Sequence, residues 1–323
     1  MRRASSERGG ALLAVLWLSA ALSAIAFTVA NTTRGETERA STFTEGTRAY
    51  YLATGAIERT LFYISLGPGD RNPDGTARYY DPPMPRMHLE FPAGAADVEI
   101  IPEASKLNIN EINPEELARL LANLGAGPET IPEIVAAILD WRNAVPGGLS
   151  MFDQQYMNRS PSFRARHASF EEIEELLLVK GMTPDLFYGS VVRDAQGQLQ
   201  PRAGLRDCVS VYGNQGGLDI NTVQPAVMLT IGVPPPVVAA IVQRRHASPF
   251  RTAEHIAPFQ QAGGPSTSRL VIGGGTITTL RATARLRNQT GALSDLSRSV
   301  SGMYKFHLIA NDPPVELLRW YDN

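Results

Sequence analysis

The chain has 323 residues, 30 Lys and Arg against 32 Asp and Glu, a formal net charge of −2 and a pI near 6.2, so it carries no charge field for a polyanion. With 43% hydrophobic and 19% charged residues it is composed like a folded globular protein, and its length leads us to expect two compact units of ~100–200 residues beyond the N-terminal segment. Cys208 is the one cysteine, which excludes an internal disulfide and reads as a small buried filler within Cys-Val-Ser-Val-Tyr.

Residues 11–30 carry no charge and follow a leader holding Arg2, Arg3 and Arg8 against a single Glu7. A helix rises ~1.5 Å per residue, so this run spans ~30 Å, the thickness of a bilayer core. The basic leader then stays on the cytoplasmic side and the remainder crosses. Two readings stand. A cleaved secretory signal shares the basic start, and Ala24-Ile-Ala26 and Val29-Ala30 supply small-residue cut sites, but its apolar region is usually ~7–15 residues long. The second reading is a retained anchor. Residues 31–64 contain no Pro, and Phe43, Tyr50, Ile57, Leu61 and Ile64 recur at helical intervals, which predicts that the anchor continues as one stalk helix to residue 66.

From Gly67 the chain turns to Gly, Pro and Asp, then to short β-forming runs at 78–80, 87–91 and 97–101. A second strand-rich block follows at 276–287, 298–309 and 315–321. The fold class is therefore α+β, a long N-terminal helix on a small antiparallel sheet, with residues 105–275 as a mainly helical insertion.

That insertion repeats itself. Leu107-Asn-Ile-Asn110 before Pro114 matches Leu218-Asp-Ile-Asn221 before Pro225; Leu124-Gly125 and Ile134-Val-Ala-Ala-Ile138 match Ile231-Gly232 and Val237-Val-Ala-Ala-Ile241. In each copy the Asn is expected to cap or precede a helix, Gly to end it, and a second apolar helix to return, a helix-hairpin-helix pattern. Residues 170–181 read as a weaker third copy. Such units often hold DNA phosphates, and Arg244, Arg245 and His246 close the second copy. Glu115, Glu116, Glu129 and Glu133 in the first copy oppose a polyanion, so a structural or protein-contact role is favoured.

Catalytic chemistry finds no constellation. His88, His167, His246, His255 and His307 are scattered, with no His-Glu-x-x-His motif and no nucleophile elbow. Gly273-Gly274-Gly275 precedes a strand instead of a helix and reads as a flexible joint. Glu172, Glu174 and Glu175 read as a solvated face. Asp70, Asn72, Asp74 and Asp81, with Gly75 at the sixth place, follow the oxygen spacing of an EF-hand calcium loop, although Pro73 stiffens the segment; the alternative is a polar turn.

Gly9-Gly10, set between the basic leader and the apolar run, resembles the class III signal of type IV pilins and type II secretion pseudopilins. The resemblance continues through Leu107-Asn-Ile-Asn110, Ile138-Leu-Asp-Trp141, residues 169–176, Val179-Lys-Gly181 and Val209-Ser-Val-Tyr-Gly213. It implies cleavage by a prepilin peptidase after Gly9 or Gly10 and methylation of the new N-terminus. Where major pilins carry Glu at mature position five, this chain has Ala14, or Val15 if the cut falls after Gly10; a carboxylate in lipid is costly unless paired, and its absence marks the K-type minor pseudopilins (GspK) at a filament tip. The resemblance further implies a leader at 1–9, a transmembrane and stalk helix at 10–66, a pilin-like β domain split between 67–104 and 276–323, and an α-domain at 105–275. It places the chain in the inner membrane with a cytoplasmic N-terminus and a periplasmic body. The implied partners are pseudopilins I and J, the secretion platform and the peptidase; nucleic acid and enzymatic activity are not implied. Relatives hold Ca²⁺ in an acidic loop after the Asp-Trp pair, for which this chain offers Asp140, Asn143 and Asp153, a depleted set for an ion that takes ~6–8 oxygens. The alternatives are an exported helix-hairpin-helix DNA-binding protein and a soluble periplasmic protein freed by signal cleavage.

Overall fold

A computed structural model describes residues 7–193, 197–213, 216–288, 290–307 and 314–322. Helix α1 (Glu7–Leu66) runs unbroken for 60 residues. Gly35, Gly46 and Gly55 lie in it without steric neighbours, and the hydroxyls of Thr28, Thr32, Thr33 and Thr37 donate to carbonyls four residues back. Those bonds give polar side chains an internal partner on an otherwise apolar helix. Residues 10–34 are exposed throughout, and the helix is long and apolar enough to cross a membrane.

The lower part of α1 packs on a sheet. Strands β1 (Arg86–Phe91) and β2 (Gly94–Pro102) form a hairpin. After the insertion come β9 (Ile277–Arg287), β10 (Leu293–Phe306) and β11 (Val315–Asp322), and the antiparallel order is β1-β2-β9-β10-β11. The predicted helix stripe holds for Tyr50, Ile57, Leu61 and Ile64, which join the core over this sheet. Phe43 is 78% exposed, because it lies short of Ala49, the first buried position of the helix. Small residues share the contact: Ala49, Ala53 and Ala56 are fully buried, with Ala96, Ala282 and Ala284 buried in the sheet. Without long side chains between them, helix and sheet approach closely.

The strand expected at 78–80 does not form. Residues 71–77 close a loop through a single bridge, Arg71 to Ala77, and the ring of Tyr79 stacks on Tyr63 of α1 at 4.7 Å. The aromatic residues there serve the stalk, not a ladder. At the hairpin tip a Cβ on Gly94 would lie 2.1 Å from the Arg285 carbonyl oxygen and 2.9 Å from Leu52. Gly94→Ala is therefore expected to lose about 2–3 kcal/mol of stability through forced displacement of β9 from α1, measurable as a lowered urea midpoint at unchanged slope.

Residues 107–271 fold around a second core. In chain order this unit contains β3 (Leu107–Asn108), α2 (Pro114–Asn123), α3 (Ile131–Arg142), α4 (Met151–Met157), α5 (Pro184–Tyr188), β4 (Gly189–Arg193), β5 (Leu199–Ala203), β6 (Val209–Ser210), β7 (Leu218–Asp219), α6 (Pro225–Thr230), α7 (Pro235–Ala247), α8 (Ala253–Gly263) and β8 (Leu270–Val271). Pro at the first turn of α2, α3, α6 and α7 fits a place whose N–H has no intrahelical partner. Residues 173–178, expected as the first helix of a third copy, form a 3₁₀ turn instead. The sheet pairs Pro102 with Thr278, so the chain leaves and re-enters it side by side. Gly273, Gly274 and Gly275 make the return with φ of 65°, 132° and 77°, angles that side-chain-bearing residues rarely adopt.

Candidate functional site

The two sequence copies in the helical unit fold alike. In the first, β3 pairs in parallel with β6, and α2 turns into α3; in the second, β7 pairs in parallel with β8, and α6 turns into α7. Asn110 and Asn221, expected to cap or precede a helix, each precede one, and their side chains bond elsewhere. Asn110 accepts from Phe170 N at 2.7 Å and donates to Phe170 O at 3.0 Å; Asn221 accepts from Phe250 N at 2.8 Å and donates to Phe250 O at 3.0 Å. Each carboxamide thus stands in for a β partner and pins a later, buried Phe to the start of its copy. In the first copy the side-chain cap lies three residues on, where Asn113 accepts from Glu116 N; Gln224, at the same place in the second, makes no such bond.

A second pair of equivalents closes each copy. Arg142, in the last turn of α3, donates to the carbonyls of Ile109 (2.6 Å) and Ile112 (2.8 Å); Arg245, in the last turn of α7, donates to those of Ile220 (3.2 Å) and Val223 (2.7 Å). Burial draws both guanidinium pKa values down, with Asp219 opposing this at Arg245. The residue before each arginine lies against the pinned Phe: Trp141 stacks on Phe170 at 6.1 Å, and the Arg244 guanidinium lies 5.5 Å over Phe250. The copies meet where Arg119 donates to the Thr230 carbonyl (3.1 Å) and Arg269 pairs with Glu116 (3.0 Å).

This geometry commits the two arginines of the DNA reading and leaves His246 exposed. Arg245 is committed to two carbonyls, and Arg244 to the Ser248 carbonyl and the Phe250 ring. The turn amides are also engaged: Gly125 N and Ala126 N donate to Ala122 O and Leu121 O, and Gly232 N and Val233 N to Leu229 O and Met228 O. Phosphate would find no free N–H at those four positions.

Of the expected metal donors, Asp140 and Asp153 come together and Asn143 does not, being exposed beyond the end of α3. Asp153 has a fully buried side chain; it accepts from Ala165 N (2.9 Å), Ser150 N (3.1 Å) and His167 Nε2 (2.8 Å). Burial alone would raise its pKa, but these hydrogen bonds hold it below the ordinary value. The Asp140 carboxylate accepts from Ser150 Oγ at 2.9 Å. A hard cation needs ~6–8 free oxygens, whereas here the oxygens are filled by N–H and O–H donors, so the residues do not fit a calcium site.

The other candidate loop is also dispersed. Asp70 faces Arg78 at 3.8 Å, Asn72 and Asp74 bond Thr76, and Asp81 is drawn off to Arg251 of the helical unit at 2.8 Å. Among the described residues, no group of three or more His, Cys, Asp or Glu is placed to hold a metal ion. The acidic run 172–175 is no solvated face: Glu175 accepts from Trp141 Nε1 at 3.0 Å, and Glu172 pairs with Arg319 of β11. Cys208 is fully buried, and burial pushes its thiol pKa well up. Gly9 and Gly10 lie within α1 and Ala14 is exposed on it, while leader residues 1–6 fall outside the described residues.

Residues 99–188, from β2 through α5, match the family model for type II secretion system protein K. Over this segment the chain is similar to the type II secretion K proteins. Type II secretion system protein K of Pseudomonas aeruginosa is 29% identical over 98 residues, covering 29% of this chain and 29% of that relative. Its counterpart in Pectobacterium carotovorum is 28% identical over 202 residues, 57% of this chain and 61% of that relative. The matches thus span less than two thirds of either K protein. Across most of its length the fold is similar to a chain in the crystal structure of the GspK-GspI-GspJ complex from the enterotoxigenic Escherichia coli type 2 secretion system, with a TM-score of 0.51, 14% identity, and coverage of 90% of this chain and 99% of that one.

Proposed function

We propose that this chain is a minor pseudopilin of a type II secretion system, a structural part of the machinery that moves proteins across the outer membrane, and not an enzyme. The observation that carries this reading is the protein K match over 99–188 in a chain whose apolar helix runs on into a sheet-packed stalk. By this reading a prepilin peptidase cuts after Gly9, the new N-terminus at Gly10 is methylated, and the helix stays in the inner membrane with the body in the periplasm. The pilin-like part comprises 67–104 and 276–323, the stalk 10–66, and the α-domain 105–275, whose paired helices are of the helix-hairpin-helix kind.

The solved complex similar in fold is named for GspK with GspI and GspJ, which supports pseudopilins I and J as partners. Ala14 at mature position five leaves no carboxylate to answer a further subunit, and the bulk of the insertion blocks stacking above it. The chain then sits at the tip of the pseudopilus, joined below to I and J. Apolar contacts along α1 contribute ~25 cal/mol per Å² buried.

Mass spectrometry of the protein extracted from membranes tests the reading. The expected result is an N-terminus at Gly10 carrying one methyl group, with residues 11–30 retained. A start near Phe27 or Asn31 would mean a soluble exported protein and end the pseudopilin proposal.

A further inference from the structure

The loop after α3 is closed by a side chain. His167 places Nδ1 2.9 Å from the Asp140 carbonyl oxygen and Nε2 2.8 Å from the Asp153 carboxylate. The ring is thereby held at both nitrogens, by the backbone of one helix and the carboxylate of another. Its side chain is 13% exposed, between an Asp153 side chain at 0% and an Asp140 side chain at 15%. Arg164 lies 3.8 Å from Asp153 at the exposed edge of the cluster.

The backbone bends to put the ring there. His167 has φ of 51°, and among the described residues it is the one non-glycine with positive φ. An L-residue in that region costs ~1–2 kcal/mol and persists where surrounding contacts fix it. The contacts are evident: the ring joins the last turn of α3 to Asp153 in the first turn of α4, and Ala168 N donates to the Trp141 carbonyl at 3.1 Å. Ser150 adds the reciprocal cap, bonding both Asp140 and Asp153. Four separate stretches, 140–141, 150, 153 and 165–168, are thereby tied to one point.

We infer that His167 does in this loop the work of a divalent cation, bridging the Asp140 backbone to the buried Asp153 carboxylate so that residues 140–168 hold their fold without metal. The chain would then keep its α-domain ordered in a calcium-poor medium, where a loop closed by an ion would open.

Limited proteolysis of the full chain in detergent micelles tests this, in calcium and in EGTA, with the cut sites mapped by mass. The expected result is that residues 143–165 of the unaltered chain resist cleavage equally in both, and that His167→Ala opens the same segment to cleavage at least tenfold faster in both. Cleavage of the unaltered segment in EGTA with protection by calcium would overturn the inference, as would a His167→Ala protein as resistant as its parent. Should His167→Ala fail to fold, the comparison of calcium with EGTA on the unaltered chain still decides.

Discussion

Asn221→Ala is expected to lower the unfolding free energy by about 2–4 kcal/mol, since it leaves both the N–H and the C=O of Phe250 without partners in a buried place at ~1–3 kcal/mol each. Asn221 is 4% exposed and Phe250 is fully buried, so water does not replace the lost bonds. Asn110→Ala removes the equivalent pair from Phe170, but Asn110 is only half-buried and solvent recovers part of the loss. Urea titration followed by far-ultraviolet circular dichroism would give the order Asn221 above Asn110. Equal and small losses, below about 1 kcal/mol, would show that the two carboxamides do not hold their copies together.

The second large effect lies at the joint between the sheet and the helical unit. Glu103 is 1% exposed, its partner Lys106 stands 3.0 Å away, and Thr279 of β9 donates to the same carboxylate oxygen at 2.7 Å. Removing one member strands a buried charge, so Lys106→Met should cost about 3–5 kcal/mol, while Glu103→Gln combined with Lys106→Met should recover most of that. Burial works against the ionised Glu103, yet Lys106 and the Thr279 hydroxyl outweigh it and hold its pKa below the ordinary 4.5. A carboxylate with a lowered folded-state pKa contributes its full stability above the unfolded value and loses it as pH falls through the folded one. Urea midpoints taken between about pH 6 and about pH 3 should therefore fall more steeply for the unaltered chain than for the double variant. Parallel curves would remove Glu103 from the acid response.

Both effects arise from residues whose part in the fold was only half legible in the sequence. The repeat of Leu-Asn-Ile-Asn with Leu-Asp-Ile-Asn was plain, as were the long helix and the strands of the sheet, because each rests on local periodicity. What the Asn does was not legible, because its partner lies 60 residues on in one copy and 29 in the other, and no local pattern encodes a contact at that range. The same limit explains Arg245, whose cluster with Arg244 and His246 looks like a phosphate-binding patch until Ile220 and Val223 are seen beneath it. The helix-sheet contact was legible in part, since Tyr50, Ile57, Leu61 and Ile64 join the core as their spacing predicts. The stripe gave no sign that Ala49, Ala53 and Ala56 are fully buried there, nor that Phe43 is exposed. Asp81 and Arg251 are far apart in the chain and joined in space, so a spacing that imitates an EF-hand dissolved once the helical unit was in place. His167 had no signal beyond its distance downstream from Asp140 and Asp153.

The pairing of Pro102 with Thr278 also bears on how such a chain assembles. Joining two strands across an open loop costs entropy that grows with the logarithm of its length, as (3/2)RT ln n. Once the intervening segment is folded, with Glu103 already bonded to Lys106 within it, its two ends emerge together and the effective loop is short. The helical unit then acts as a clasp, offering β9 to β2 in register instead of leaving the two strands to find each other by diffusion.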